Sequence, residues 1–401
     1  MKNTLFTFLI GILILTVPVK FTIAQDNDTT KGYKFTTVKD LSVCSVKNQY
    51  SSGTCWSFSS NSFFEAELLR MGKGEFDLSE MFVVWHTYSD KAVSYVRWHG
   101  DNNFGGGGAF HDVLYVLENY GMMPEEIYDG KVIGEKNHVH GEMDAVLKGY
   151  MDAVLKNKNK KLTPVWHDGL DGILDAYLGE LPESFIYEGT EYTPRSFADN
   201  LGIKAEDYVE IGSYTHHPFY GQFILEVPDN WLYGEIYNVP MDEMMAIIDN
   251  ALDNGYTVGW GADVSEKGFS WKNGVAIVPD EDVSDLNGTE KEKWEKLTKR
   301  EKKAALYKFD GPHKEKTITQ EMRQQEFDDY LTTDDHGMHI TGTATDQDGN
   351  KYYIVKNSWG TDGTIYNGYF YASVPYVQLK TIDLIIHKDA VPENLRKKLG
   401  F

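Results

Sequence analysis

The feature that most constrains the fold is a stretch with the pattern of a buried helix, directly after a cysteine. Trp56–Met71 carries a broad apolar face, which predicts a helix packed against a core. Cys55, one of only two cysteines in 401 residues, would lie on the first turn of this helix. There the positive end of the helix dipole favours a thiolate, the nucleophilic form of cysteine. Gln49, six residues earlier, adds a side-chain amide that can polarise a carbonyl group.

A lone cysteine is more often a buried structural residue than a nucleophile, so the rest of the chain has to decide. Peptide hydrolysis by a thiol needs a base that ionises the sulfur and later protonates the leaving amine, and an imidazole can do both. His336 and His339 are candidates, and an Asn-Ser-Trp-Gly sequence follows at residues 357–360. Asn357 would accept the ring N–H of the base without adding a charge, and Trp359 would shield that hydrogen bond from water.

The order Gln49, Cys55, His336 and Asn-Ser-Trp-Gly resembles that of the papain superfamily of cysteine peptidases. It is most similar to the bleomycin hydrolase branch, which includes bacterial aminopeptidase C, because Ser52 stands where papain-type enzymes have a disulfide-forming cysteine. The resemblance implies an α+β fold with two lobes. A helical lobe would carry the cysteine, and an antiparallel β half-barrel lobe would carry the histidine and the asparagine.

The same resemblance assigns the catalytic roles. Cys55 would be the nucleophile, His336 the base and Asn357 the residue that orients it, while Gln49 and the backbone N–H of Cys55 would bind the oxyanion. The sequence His-Gly-Met at residues 336–338 selects His336 over His339. If this segment is a strand, residues three apart point to opposite faces, so only one of the two histidines can face Cys55.

A run of four glycines, residues 105–108, precedes a predicted helix at Phe110–Tyr120. Glycines let an extended substrate backbone approach closely. The resemblance places the pair that binds the residue before the scissile bond at Gly107 and Gly108, with Trp56 and Trp359 as further substrate contacts. A plain flexible loop is the alternative. A phosphate site is not expected, because no Lys-Ser or Lys-Thr pair follows the glycines.

Length and termini set the domain organisation. Residues 1–24 have the pattern of a signal peptide, so we expect an exported protein, periplasmic or secreted, without stable membrane anchoring. Residues 25–401 are predicted to form one papain-like peptidase domain. Cys55 and His336 are 281 residues apart, against roughly 130–150 in simple papain-like enzymes, which predicts an insertion at about 130–235, partly helical.

Composition limits the partners. The formal net charge is −22, so the phosphate backbone of a nucleic acid should repel the chain, and peptides are the expected substrates. No metal or other cofactor is expected, because the histidine pairs at 138/140 and 216/217 lack a complete ligand set in the sequence. A catalytic Cys55 leaves Cys44 unpaired. Cys44 is predicted to be a buried thiol, with a regulatory Cys44–Cys55 disulfide as the alternative.

The mode of cleavage is left open between two alternatives. In the bleomycin hydrolase family a C-terminal arm lies in the cleft, and its carboxylate recognises the amino terminus of the substrate. Here the sequence reaches Leu399-Gly400-Phe401 well before the family's usual end. An aminopeptidase is the first expectation, and an endopeptidase or oligopeptidase with an open cleft is the second. A catalytically silent binding protein is a third alternative, and the family's hexameric ring is carried over as an expectation.

Overall fold

The computed structural model describes residues 32–280 and 294–401. The predicted signal peptide lies outside the described residues, so the structure does not test it. Among the residues that are described, no helix is both long enough and apolar enough to cross a membrane. The division into a signal peptide and one domain with an insertion therefore stays a prediction.

The described part of the chain contains eleven α-helices and thirteen strands. The helices are α1 Cys55–Arg70, α2 Glu80–Arg97, α3 Phe110–Asn119, α4 Gly141–Leu155, α5 Val165–Leu178, α6 Pro194–Leu201, α7 Met241–Asp253, α8 Lys299–Leu306, α9 Gln320–Asp328, α10 Val374–Lys380 and α11 Glu393–Leu399. The strands are β1 Thr36–Asp40, β2 Phe185–Tyr187, β3 Thr190–Tyr192, β4 Tyr208–Gly212, β5 Gln222–Ile224, β6 Glu235–Asn238, β7 Val258–Ala262, β8 Phe269–Ser270, β9 Val275–Ala276, β10 His336–Thr345, β11 Lys351–Lys356, β12 Tyr369–Ser373 and β13 Thr381–His387.

The first lobe is helical and is built around α1. Every residue of this helix from Trp56 to Leu68 is buried, because α2 and α3 pack on one side and β10 on another. Polar side chains such as Ser60, Asn61 and Glu65 are buried together with the apolar ones, so the helix has only a weak amphipathic pattern. Ser79 starts α2 by accepting a hydrogen bond from the backbone N–H of Phe82, and Thr193 starts α6 in the same way with Ser196.

The second lobe is a mainly antiparallel sheet with the strand order β5-β6-β4-β13-β7-β10-β11-β12-β9-β8, and β1 pairs with β10 at its far end. β10 is central and pairs with β7 on one side and β11 on the other. The hydrophobic core of this lobe contains Trp260, Ile340 and Val355, and α7 packs against the sheet. A helical lobe beside an antiparallel sheet lobe is the α+β arrangement that was predicted.

Residues 130–235, predicted to be partly helical, contain α4 and α5, which pack on α2. Pro182–Pro194 contains the hairpin β2–β3, whose turn at Glu188-Gly189 has positive φ at both residues. Such a turn matches the twist of the paired strands. This hairpin was missed because its strands are only three residues long.

The C-terminal helix α11 packs on the second lobe. Leu395 and Leu399 are buried in its core, and the ring of Phe401 lies 5.0 Å from the ring of Tyr237. Gly400 ends the helix in the left-handed conformation at φ 85°. Residues 393–401 are thus held on the sheet by apolar contacts.

Candidate active site

A cavity of about 350 Å³ lies where the two lobes meet. The helical lobe contributes Cys55 and Trp56 from the start of α1, together with Gly107 and Gly108. The sheet lobe contributes His336 from the start of β10, with Gln49 and Trp359 from two loops beside it. The cavity therefore brings together all the predicted site residues except Asn357, which lies directly behind His336.

Cys55 is the first residue of α1, as predicted, and is partly exposed to the cavity. The first turn of a helix leaves its backbone N–H groups without helical partners, so the N–H of Cys55 is available to a ligand. Burial raises the pKa of the thiol to about 12, although hydrogen bonds from the backbone of Gly337 and Trp56 act in the opposite direction. Burial is the largest of these effects on the pKa of Cys55.

His336 is buried, and its Nε2 lies 2.7 Å from Oδ1 of Asn357. Because an amide oxygen can only accept, Nε2 carries the proton in the neutral ring, and Nδ1 keeps a lone pair for the sulfur proton. Burial lowers the pKa of His336 to about 4, against the hydrogen bond to Asn357. Burial disfavours a thiolate on Cys55 and an imidazolium on His336 when either forms alone. Transfer of the proton from Sγ to Nδ1 creates two opposite charges together, so it is penalised much less.

Asn357 and Trp359 hold the imidazole in place. Oδ1 of Asn357 also accepts the backbone N–H of Ser358 at 2.8 Å, which fixes the amide with its oxygen toward His336. The ring of Trp359 lies over the imidazole, with 4.6 Å between ring centroids and 31° between the planes. This ring covers the histidine and limits the access of water to the hydrogen bond with Asn357.

Gln49 is oriented by the same loop. Its Oε1 accepts a hydrogen bond from the Ser358 hydroxyl at 2.6 Å, and its backbone N–H donates to the Ser358 carbonyl at 2.8 Å. Since the amide oxygen is occupied, the Nε2 donor is left for the cavity that Gln49 lines. A bridge between Asn48 and Trp359 ties the two loops together.

His339 points to the opposite face of β10, as the strand geometry predicted. Its Nδ1 lies 2.9 Å from the hydroxyl of Ser62 on α1, and the ammonium of Lys356 donates to the same hydroxyl at 2.7 Å. His339 does not line the cavity. Of the two candidate bases, the structure brings only His336 into the cavity with Cys55.

The glycine run is firmly held and is partly covered. The indole N–H of Trp56 donates to the carbonyl of Gly106 at 2.8 Å, and the ammonium of Lys91 donates to the carbonyl of Gly107. A Cβ on Gly108 would lie 2.8 Å from the Trp56 ring, so only glycine fits there. A Cβ on Gly107 would lie 1.9 Å from a carboxylate oxygen of Asp229. Asp229 therefore lies beside Gly107, and the contact of Gly107 with a substrate stays a prediction.

Sequence reasoning missed four carboxylates that line the cavity. They are Asp229, Asp334, Asp335 and Asp383, from three separate segments of the chain. The only local signal was the acidic pair directly before His336. Burial, followed by the charges of Asp229 and Asp335, raises the pKa of Asp334 to about 7.

Potential metal ligands come together at one place among the described residues, where side-chain atoms of His216, His217 and Glu226 lie within 4.8 Å of one another. Nε2 of Gln324 donates to Nδ1 of His216 at 2.9 Å, and Oε1 of Gln324 accepts the backbone N–H of Thr215 at 2.6 Å. This orientation of Gln324 puts the His216 proton on Nε2, which donates to Glu226 at 2.7 Å. In this structure the side chains of His216, Gln324 and Glu226 form a hydrogen-bond network.

The two cysteines are both free thiols. The sulfur of Cys44 lies 3.6 Å from the carbonyl of Phe76, and burial raises its pKa to about 11. Cys44 was predicted to be a buried thiol, but it is only partly buried. Cys44 does not line the cavity, and its sulfur is not joined to that of Cys55 in this structure.

Comparisons with known proteins agree with this geometry. The Peptidase C1-like family model matches residues 298–400, which include His336 and Asn357. Aminopeptidase C of Streptococcus thermophilus is 23% identical over 400 residues, covering 87% of this chain and 82% of the relative. Aminopeptidase C of Listeria monocytogenes is 24% identical over 395 residues, covering 87% and 81%. The crystal structure of PepW from Lactobacillus rhamnosis superposes with a TM-score of 0.67 at 18% identity, covering 91% of this chain and 84% of the other.

The fold, the cavity and these relatives together define a cysteine peptidase with a papain-like fold. Within the papain superfamily, the chain is similar over most of its length to aminopeptidase C, a member of the bleomycin hydrolase branch.

Proposed function

We propose that this protein hydrolyses peptide bonds with Cys55 as nucleophile and His336 as general acid and base, and that it removes residues from the amino terminus of peptides. The proposal rests on the 2.7 Å hydrogen bond from His336 Nε2 to Asn357 and on the position of His336 in the same cavity as Cys55. The hydrogen bond leaves Nδ1 as the proton acceptor for the sulfur. The relatives named aminopeptidase C support removal of amino-terminal residues.

The reaction takes two steps. The sulfur of Cys55 attacks the scissile carbonyl carbon while its proton moves to Nδ1 of His336, and the oxyanion is bound by the Gln49 amide and the backbone N–H of Cys55. His336 then gives the proton to the leaving amine as the C–N bond breaks, which leaves a thioester on Cys55. In the second step His336 takes a proton from water, and the resulting hydroxide attacks the thioester carbon. The C–S bond then breaks, the acid is released, and His336 returns the proton to the sulfur of Cys55.

A direct test compares two substrates that differ only at the amino terminus. Leucine linked to a fluorogenic aminocoumarin should be cleaved efficiently, whereas the N-acetylated form should be cleaved at least about tenfold more slowly, since an aminopeptidase requires the free amine. The measurement is kcat/KM for both substrates under reducing conditions, with the Cys55→Ala variant as the blank. Equal or faster cleavage of the acetylated form would indicate an endopeptidase. Cleavage of neither form, nor of a mixed peptide library, would indicate a silent binding protein.

The role of Asn357 can be tested separately. Asn357→Ala removes the hydrogen bond that orients His336 but leaves the base itself, so kcat should fall by about 10- to 100-fold. Steady-state kinetics with the free-amine substrate measure this change, and the melting temperature checks the fold. A loss as complete as that of Cys55→Ala would contradict an orienting role for Asn357.

Export and assembly remain proposals. The pattern of residues 1–24 supports export, which amino-terminal sequencing of the protein recovered from cell fractions would test. Resemblance to the family supports a hexamer, which light scattering on the purified protein would test. A chain that keeps its leader, or a monomeric mass, would overturn the respective proposal.

A further inference from the structure

The wall of the cavity is unusually acidic. Four carboxylates line it, namely Asp229, Asp334, Asp335 and Asp383, and no lysine or arginine does among the described residues. Carboxylates that share a small, partly dry space repel one another and gain from a cation between them. The cavity thus offers a binding environment for a positively charged group next to Cys55.

Hydrogen bonds show which of these carboxylates are already occupied. Asp335 accepts the backbone N–H groups of Val264 at 2.9 Å and Ser265 at 3.1 Å, so it has a structural role. Asp229 accepts one hydrogen bond through Oδ1, from the side chain of Asn103 at 2.6 Å. Asp334 accepts none from an N–H or O–H donor of the described residues. Asp334 and Oδ2 of Asp229 therefore remain free to accept hydrogen bonds from a ligand.

Asp383, the fourth carboxyl, already has a partner. It lines the same cavity, and its side chain is only 5% exposed. Burial and the neighbouring carboxyl of Glu210, which shares a hydrogen bond with it, raise the pKa of Asp383. Glu210 is itself paired with His111 at 3.0 Å. A raised pKa favours the neutral acid, so Asp383 is not among the charges that would bind a cation.

Asp229 lies close to the glycine run. A Cβ on Gly107 would be 1.9 Å from Oδ2 of Asp229, so this carboxylate reaches the part of the cavity wall that Gly107 and Gly108 form. A cation bound by Asp229 would therefore lie beside the two glycines that were predicted to bind the substrate.

We propose that Asp229 and Asp334 bind the free α-ammonium group of the substrate's first residue. This deepens the proposed function and rests on it. Asp229 follows β5 in the chain, and Asp334 directly precedes Asp335 and β10. Residues 393–401 pack against the sheet and do not line the cavity. Among the described residues, the carboxylates next to Cys55 are therefore side chains of the cavity wall.

The test uses Asp229→Asn, Asp334→Asn and the double variant in the full-length protein, with Asp348→Asn as the matched control. Asp348 is an exposed residue of the β10–β11 turn, outside the cavity. Three substrates are compared: leucyl-aminocoumarin, N-acetyl-leucyl-aminocoumarin and N-acetyl-arginyl-aminocoumarin. Each cavity variant should reduce the preference for the free amine over its acetylated form by about 10- to 100-fold, mainly through KM, because a hydrogen bond between charged groups is lost. The control should keep the wild-type preference.

A second readout does not need turnover. Leucinal, an aldehyde that adds reversibly to the thiol, should inhibit the wild type more strongly than N-acetyl-leucinal, and the cavity variants should lose this difference. An unchanged preference in the double variant, with an unchanged melting temperature, overturns the inference while the proposed function stands. A loss confined to the arginyl substrate also overturns it and assigns the acidic wall to a basic side chain. If the wild type itself does not prefer the free amine, it is the proposed function that fails.

Discussion

Replacing Cys55 with alanine should reduce peptide hydrolysis by at least about 10⁴-fold, to the level of the uncatalysed background. The sulfur is the only group in the cavity that can form the covalent intermediate, so neither His336 nor Gln49 can compensate for its loss. The side chain is small and partly exposed to the cavity, so the fold should persist. The measurement is kcat/KM on the free-amine substrate together with the melting temperature.

The chain offers a matched control for this experiment in its other cysteine. Cys44 lies outside the cavity with its sulfur against the carbonyl of Phe76, so Cys44→Ala should retain most of the activity. The same two variants should also differ in how strongly leucinal protects their remaining cysteine from a thiol-labelling reagent. In the presence of leucinal, labelling of Cys55 should be protected in Cys44→Ala, whereas labelling of Cys44 in Cys55→Ala should not change. Substantial turnover by Cys55→Ala would rule out the proposed nucleophile.

His336→Ala should lower kcat by about 10³-fold or more, whereas His339→Ala should leave most of the activity. The two histidines lie on the same strand, three residues apart, but only His336 faces Cys55. His339→Ala instead removes a buried contact with Ser62 and should destabilise the fold by about 1–3 kcal/mol. Kinetics and urea denaturation of both variants measure these opposite effects.

The outcome for this pair is informative in either direction. If His339→Ala lost activity as completely as His336→Ala while its stability was unchanged, the assignment of the base from the strand faces would be wrong. If both variants lost only stability, no histidine of β10 would act as the base. Activity at several pH values would then identify another titrating group.

Much of the site could be predicted because its signals are local. The helix predicted at Trp56–Met71 is observed at Cys55–Arg70, since the segment has no internal glycine or proline and its large apolar side chains need a core to pack against. The opposite orientation of His336 and His339 follows from the alternation of side chains along a strand, which needs no knowledge of the rest of the fold.

The acidic wall of the cavity could not be predicted for the opposite reason. Asp229, Asp334 and Asp383 come from segments up to about 150 residues apart, and only the completed sheet brings them together. The pattern of apolar residues in a sequence predicts which residues are buried. It does not predict which polar side chains lie next to one another in the folded protein. The pKa of Cys55 shows a related difference. The helix dipole was visible in the sequence, whereas the effect of burial depends on the lobe that covers the helix.

The contact between Gln49 and Ser358 spans 309 residues and has a consequence for the newly made protein. While the chain is being synthesised, the cysteine helix emerges early, but the base, its orienting asparagine and the anchor of the oxyanion donor all emerge late. At the usual rate of synthesis, Cys55 precedes Asn357 by about 15 to 60 s. During that interval the ribosome-bound chain contains Cys55 but lacks the complete set of residues that would activate it. Incomplete chains that end before residue 357 are therefore expected to be inactive. Peptidase activity should begin only after the second lobe has been synthesised and has folded.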